Sequence, residues 1–392
     1  MTAFITDWLN LLFRWAHLVA GIAWIGTSFY FISLDLALRK RASMPTGVMG
    51  TAWEVHGGGF YHVQKYLSAP KGLPQDLIWF KWEAYLTWIT GMALMVVQFY
   101  WNADTWLIDP AKLALAPWQA IALSLASLIV GWFVYDGVCR SPVGRKPALL
   151  AGVVFALLLA AAYGYLAVFS GRSAMVHLGA LIGTIMAVNV FGLIIPGQKK
   201  IAAALTDGLE PDQALGALAK QRSVHNTYLT LPVLVFMVSG HYPMLIGHPQ
   251  AWLLAGLIII GGAAARHLLI RHEAGDPLAK VAWTLPVIAI ALLTALWLTA
   301  PQQRQGGAAA ASDAEVLAIV QRHCVTCHAA EPTHEAFAEP PKDMVIETLD
   351  DVRRHEALID QFAVKTDLMP LGNETGMTKP ERDMLGAWIA AQ

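Results

Sequence analysis

The sequence predicts an all-α protein in which a polytopic bundle of eight membrane helices is followed by a small soluble helical domain. Of its 392 residues, 56% are hydrophobic and only 14% are charged, whereas a water-soluble protein carries roughly 25% charged residues. Apolar runs recur as far as residue 300, and the chain after residue 311 is polar. The net charge of −1 provides no basic field for nucleic acid.

Each apolar run is long enough to cross a hydrocarbon layer about 30 Å thick. Lys and Arg residues cluster after the first, third, fifth and seventh runs. Because these residues concentrate in cytoplasmic loops, both termini are predicted to lie on the outer, non-cytoplasmic side of the membrane. The eight runs are 11–34, 77–100, 117–136, 148–169, 174–195, 227–246, 251–270 and 281–299.

Three segments follow from this pattern: a membrane domain at 1–300, a linker at 301–311 and a soluble domain at 312–392. The linker is rich in Gly, Ala and Gln and has no periodic apolar face, which is typical of a flexible tether. Ser-x-x-Glu at Ser312 and Thr-x-x-Glu at Thr378 are capping boxes, which predict the first and last helices of the soluble domain.

The soluble domain contains Cys324-Val-Thr-Cys327-His328, directly after its first predicted helix. C-x-x-C-H is the signature of a covalently attached c-type haem, with the two thiols on the porphyrin and the imidazole as proximal iron ligand. A zinc site would need further ligands at suitable spacing, and the remaining cysteine, Cys139, lies far upstream. The motif therefore predicts one covalent haem c.

This pattern resembles a class I cytochrome c, and the resemblance implies a distal Met ligand on a loop before the last helix. Met369 lies 41 residues after His328 and is the expected ligand. Such a thioether raises the haem potential, which suits electron acceptance. The competing methionines are Met344, Met377 and Met384.

Histidines also occur within or beside the apolar runs. Ionisable side chains in hydrocarbon are costly and usually functional. Taken singly, each is explained as a hydrogen-bonded core residue; taken together, they indicate a second, bis-His haem b that would relay electrons across the membrane. The set comprises His17, His177, His225, His241 and His267.

The connection 35–76 differs from the others because it holds Trp53-Glu54-Val-His56-Gly-Gly-Gly-Phe-Tyr61-His62. Successive glycines let the backbone approach a ligand or adopt positive φ. We therefore expect a loop that contributes to a site. The alternative is a mobile connector whose aromatic residues lie at the membrane interface.

Three motifs together resemble the membrane-bound bacterial urate hydroxylases, in which a urate oxidase N-terminal membrane domain is fused to a cytochrome c. They are His17…Ala-Trp-Ile-Gly-Thr-Ser-Phe-Tyr, the Trp53–His62 segment, and Trp79-Phe-Lys81-Trp-Glu83-Ala-Tyr. The resemblance implies oxidation of urate to 5-hydroxyisourate. It also implies electron export to an external cytochrome or terminal oxidase. The expected location is the bacterial inner membrane, with the cytochrome domain in the periplasm.

Urate is a flat anion, so its site needs a cation, an aromatic face and a base. Lys81 is a candidate cation, and Glu83, Glu54 or His56 are candidate bases, since desolvation raises a carboxylate pKa toward working pH. Alternatively, Lys81 and Glu83 are charges at a helix end that reach to the interface.

Two functions of other classes fit the same sequence. One is an electron-relay cytochrome subunit of a respiratory complex that never contacts an organic substrate. The other is a purine transporter with a fused redox domain, in which the intramembrane His and Arg residues would line a path. Reduction of the haem by urate distinguishes oxidation from both.

Overall fold

A computed structural model describes residues 2–66, 70, 73–74, 76–300 and 311–392. Of these described residues, 72% are helical. The predicted linker lies outside the described residues except for Ala311.

Helices dominate the described residues before residue 300. Several begin at positions that favour helix starts, such as Pro117 and Pro147 at the first turn of their helices, where proline loses no hydrogen bond. The helices are α1 (Thr2–Ala37), α2 (Trp82–Met95), α3 (Ala103–Trp106), α4 (Pro117–Arg140), α5 (Pro147–Val168), α6 (Gly171–Val188), α7 (Ile195–Thr206), α8 (Gln213–Val238), α9 (Pro243–Ile246), α10 (Ala251–Glu273), α11 (Leu278–Val281) and α12 (Thr284–Thr299).

Helical structure occurs in all eight predicted ranges, but within the described chain five helices are long and apolar enough to span a membrane. Helix α12 has only 16 residues, α2 passes into a π-helical turn at Val96–Tyr100, and α8 starts in a polar stretch. The count of eight therefore stays a prediction. The five are Phe4–Ala37, Pro117–Arg140, Pro147–Val168, Gly171–Thr206 and Ala251–Glu273.

The connection after α1 is not a loop but an antiparallel β-hairpin of β1 (Val48–His56) and β2 (Gly59–Tyr66). Gly57 and Gly58 form its two-residue turn with φ of +58° and +79°, the backbone that a type I′ turn requires. The all-α prediction is therefore wrong here. Alternating side chains around a Gly-Gly turn also predict a hairpin. The interpretation of the glycines as a ligand-binding loop did not take this signal into account.

A separate hydrophobic core holds the C-terminal residues together. Both predicted capping boxes are confirmed, at Ser312 with Glu315 and at Thr378 with Glu381. The first and last helices pack together, and the Trp388 indole donates to Asp313 at 2.7 Å. The helices are α13 (Asp313–His323), α14 (Val325–His328), α15 (Leu349–Arg354), α16 (Glu356–Ile359) and α17 (Lys379–Ala390).

Candidate functional sites

The Cys-Val-Thr-Cys-His motif lies where α13 ends and the single turn α14 begins. His328 Nδ1 lies 2.8 Å from the Met344 carbonyl. Because a carbonyl only accepts, this contact places the proton on Nδ1 and leaves the Nε2 lone pair for a ligand. A backbone partner on one ring nitrogen is how metal-binding histidines are usually oriented.

Both cysteines of the motif are free thiols. Burial raises the pKa of Cys324 to about 12 and also raises the pKa of Cys327. Neither is the stabilised thiolate of a nucleophilic or disulfide-exchanging site. Within the described residues, no three His, Cys, Asp or Glu side chains are grouped closely enough to hold a metal ion, so the pair lacks the ligand set of structural zinc.

Met369 is half-buried against the same core as Cys324. Its backbone is held on both sides, because its N–H donates to Phe362 at 2.8 Å and its carbonyl accepts from Arg382 at 2.5 Å. Arg382 is buried and also donates to Ala363. The buried guanidinium therefore ties the Met369 loop to the π-helical turn Asp360–Val364. Met344 and Met384 are half-buried against that core too, and Met377 is one of its buried members.

Glu381 joins the first and last helices of this domain. Hydrogen bonds from the backbone and hydroxyl of Thr378, and contacts with His323, lower the pKa of Glu381 to about 2. Arg322 also pairs with it at 3.0 Å. The ionised carboxylate is therefore a structural connection and is not available as a base.

Glu381→Gln should lower the stability of the C-terminal domain at pH 6. The folded pKa lies below the ordinary value of 4.5, so the ionised group stabilises the fold above that pH, and the contribution is lost as pH falls toward 2. The difference between wild type and variant, measured by thermal unfolding, should shrink between pH 4.5 and about 2. The exposed Glu356→Gln is the control, and a difference independent of pH would contradict the assignment.

The segment 367–372 connects the C-terminal domain to the helices that precede it. Leu368 packs against the core of those helices, whereas the next side chain, Met369, packs against the C-terminal core. A Cβ added at Gly372 would lie 3.4 Å from the Ile108 carbonyl. A cleft between the two parts is lined by Trp106 and Met369. The predicted distal ligand thus lies at the contact between the two parts.

His177 is fully buried on α6, and both of its ring nitrogens are engaged. Nδ1 donates to the Ser173 carbonyl at 2.7 Å, and Nε2 lies 2.6 Å from the Ser124 hydroxyl. Ser173 in turn contacts Leu107 and Ser170, whose hydroxyl donates to Trp106. In this arrangement, His177 has no lone pair free for iron, but hydrogen bonds link it to the cleft beside Met369.

The other histidines of the predicted second haem are dispersed. His17 Nδ1 contacts Thr87 and lies beside Gly91, His225 Nδ1 lies 2.7 Å from the Tyr135 hydroxyl, and His267 Nδ1 lies 2.7 Å from the Tyr228 hydroxyl. His241 is exposed at the end of a 3-10 turn. The bis-His haem b stays a prediction.

The four predicted catalytic residues lie on two elements, strand β1 and the start of α2. Glu54 and His56 share one face of β1, and the Glu54 carboxylate accepts from the Tyr30 hydroxyl at 2.7 Å. His56 is exposed beside the hairpin turn. Lys81 is the N-cap of α2, with its ammonium 5.4 Å from the Trp82 ring, and Glu83 is in the first turn. No hydrogen bond or ion pair joins any two of these four described residues, and their catalytic role stays a prediction.

A cavity of about 700 Å³ lies between α1, the hairpin, the α6–α7 junction and α8. Trp24 and Trp79 provide aromatic surface, and Asp35 and Lys65 form an ion pair of 2.6 Å in its wall. The α8 wall is polar and consists of Ser223, Asn226, Thr227 and Thr230. These are positions i, i+3, i+4 and i+7, so one helical stripe faces the cavity.

Behind the α8 stripe lies a buried polar network. Asn226 accepts from Asn189 at 3.0 Å, and Asn189 also donates to Tyr135. Arg222, with no solvent exposure, donates to Asp136 at 2.6 Å. A buried guanidinium beside a cavity is costly unless paired, so this ion pair fixes α8 against α4.

Sequence reasoning missed the cavity residues. In the sequence, Lys65 bears only on the predicted orientation of the membrane domain. Ser223 and Asn226 precede the sixth apolar run (227–246), and Thr227 and Thr230 lie at its start. Their helical spacing is visible in the sequence, but the stripe lies among other polar residues, including Lys220, Gln221, Arg222 and His225, so it does not stand out as the polar face of an apolar helix.

The fold is that of a helical protein in which several helices are able to span a membrane, with a cavity between them and the hairpin. The chain belongs to the urate oxidase N-terminal family, whose model matches residues 3–299. No curated protein and no solved structure matches the chain. Membership indicates an oxidoreductase that acts on urate. The matched part includes the cavity and the hairpin and ends before Cys324.

Proposed function

We propose that this protein is a membrane-bound urate hydroxylase that oxidises urate to 5-hydroxyisourate and exports the electrons through a c-type haem. The observation that carries the proposal is the urate oxidase N-terminal family match over residues 3–299 in a chain that continues into Cys324, Cys327 and an oriented His328. Neither a pure electron relay nor a purine transporter accounts for both features.

The residues present fit a c-type haem. Cys324 and Cys327 would hold the porphyrin edge through thioethers, His328 would ligate iron through Nε2, and Met369 would be the distal ligand. The bound haem supplies a one-electron acceptor with a potential raised by the thioether. Around it, the Met344 carbonyl holds the His328 ring, and Arg382 holds the backbone of the Met369 loop.

The reaction balances with water as the source of oxygen. One urate and one water give one 5-hydroxyisourate, two protons and two electrons. Because a single haem accepts one electron at a time, an external cytochrome or terminal oxidase must accept electrons twice per turnover. A second haem b would shorten the path across a layer about 30 Å thick.

The distribution of Lys and Arg supports a multi-pass protein of the bacterial inner membrane with both termini and the C-terminal domain on the periplasmic side. In that orientation, the cavity lies toward the cytoplasm, since Lys65 lies in a predicted cytoplasmic connection.

Anaerobic addition of urate to the purified holoprotein tests the proposal. The expected result is that the absorption band of reduced c-haem appears. One 5-hydroxyisourate should form for every two electrons. Reduction by quinol but not by urate would identify a relay subunit. Urate flux into vesicles without haem reduction would identify a transporter. A pyridine haemochrome assay on the same sample counts haem b against haem c.

Met369→Ala should lower the haem potential and leave the fold intact, because loss of the thioether removes the ligand that favours the reduced state. We expect a fall on the order of 0.1 V or more, within the roughly 0.8 V that axial ligands span. Potentiometric titration measures it, with Met384→Ala as the control. A fall in Met384→Ala alone would show that the distal ligand lies on α17.

A further inference from the structure

The cavity between α1, the hairpin, the α6–α7 junction and α8 has the size and composition of a small-molecule site. Its volume of about 700 Å³ lies within the range of roughly 300–1,000 Å³ that is usual for ligand pockets. A second cavity, of about 390 Å³ between α4, α5 and α6, has an almost wholly apolar lining. That surface suits a hydrocarbon chain and offers no cation for an anionic ligand.

We propose that the larger cavity binds the planar purine anion, with Asn226 on its polar edge, Trp24 and Trp79 on its faces, and Lys65 as its counter-charge. This inference rests on the proposed function and deepens it by naming the substrate site. It also replaces Lys81 as the cation, because the described lining of the cavity includes Lys65 but not Lys81.

Asn226 is prepared for a ligand that has both N–H and C=O groups. Its side-chain nitrogen donates to the Met186 carbonyl at 2.9 Å, and its oxygen accepts from Asn189 at 3.0 Å. These contacts fix the amide and use one of its two N–H donors and one of its two acceptor sites. The remaining donor and acceptor complement adjacent C=O and N–H groups on a purine.

The α6–α7 junction forms the wall next to the polar stripe, to which it is joined by the hydrogen bond between Asn189 and Asn226. Here the helix passes through a π-helical turn at Asn189–Ile194, and Val190 and Ile194 from this turn line the cavity. Single π-turns within α-helices occur frequently at functional sites. The extra residue places Asn189 behind Asn226, where it holds the amide.

Lys65 lies at the exposed side of the cavity, with 41% of its side chain accessible. One of its three donors contacts Asp35, which leaves two for an anion. The indole rings of Trp24 and Trp79 offer flat apolar surface, the kind that a planar heterocycle stacks on. Cation, amide and aromatic faces therefore come from four separate segments of the chain.

Binding is measured separately from turnover by titrating urate into dithionite-reduced holoprotein, whose haem accepts no electron. Equilibrium dialysis with labelled urate gives the Kd. Lys65→Met should raise the Kd roughly tenfold, as expected for loss of one charge-assisted hydrogen bond, and Asn226→Leu should raise it at least as much. Lys40→Met, an exposed lysine of the same connection outside the lining, is the matched control.

Thr230→Val is a conservative second variant in case Asn226→Leu fails to fold, and it should weaken binding severalfold. Thr27→Val, a threonine of α1 outside the lining, is its control. Unchanged Kd values in Lys65→Met and Thr230→Val, or a loss confined to Lys81→Met, would overturn the cavity assignment. Normal haem reduction by urate in the wild type would then leave the proposed function standing. Tight urate binding that depends on Lys65, with no haem reduction, would support the site and refute the hydroxylase.

Discussion

His328→Ala should abolish the reduction of the haem by urate, which is followed in the visible absorption spectrum. The contact between His328 Nδ1 and the Met344 carbonyl leaves the lone pair of Nε2 free to bind iron. Alanine has no ligand atom in its place. Loss of the proximal ligand removes the electron acceptor, so export should fall below detection even where Cys324 and Cys327 still attach the porphyrin. Anaerobic spectra after urate addition measure the reduction, and pyridine haemochrome measures the haem content.

His355→Ala is the control, since this imidazole lies at the end of α15, away from the motif. It should retain haem and urate-dependent reduction. If His328→Ala keeps a wild-type reduced spectrum, the axial ligand is another residue and the c-type assignment of this motif fails. If it loses reduction but still binds urate in the dithionite-reduced state, the substrate site and the electron exit are separate, as proposed.

Local signals predicted the structure well in this chain. The capping boxes at Ser312 and Thr378 depend on side chains three residues apart, and both formed as predicted. The hairpin also has a local signal, the Gly57-Gly58 turn, but three glycines among aromatic residues fit a ligand loop equally well. Register and strand pairing distinguish the two interpretations, and neither can be observed in the sequence.

The cavity could not be predicted in the same way. Trp24, Lys65, Trp79 and Asn226 come from four segments, and only tertiary packing brings them together. The sequence favours Lys81 and Glu83 for the site, because residue type indicates the chemistry of a side chain but not its direction. The helix count shows a related limit, since apolarity predicts that a segment is buried but does not distinguish lipid from protein surroundings.

The contact between the C-terminal domain and the helices before it gives the second large prediction. Leu368 packs against the core of those helices while Met369 packs against the C-terminal core. A flexible linker alone would let the C-terminal domain occupy many positions, whereas this contact holds the Met369 loop beside Trp106. If this domain holds the proposed haem, electrons that leave the membrane part would enter it at the loop that carries the proposed distal ligand, Met369.

Leu368→Asp should detach the C-terminal domain. Removing a half-buried Leu costs about 1.5 kcal/mol, which corresponds to a roughly tenfold lower docking equilibrium, and the carboxylate adds a desolvation cost. Hydrogen exchange should increase in 103–106 and 366–372, and haem reduction after rapid anaerobic mixing with urate should slow by a similar factor. The matched control is Leu358→Asp, whose leucine is 42% exposed.

Gly247→Val tests the same contact from the other side. A Cβ at Gly247 would lie 2.4 Å from Thr366 Cβ, so valine should separate the domains without changing the C-terminal core. Both variants should keep the wild-type haem potential, because the proposed iron ligands are unchanged. Both should keep urate affinity, because neither residue lines the cavity. Slower reduction with unchanged potential and affinity would locate the defect at the contact. Unchanged reduction rates in both variants would show that electrons enter the C-terminal domain by another route.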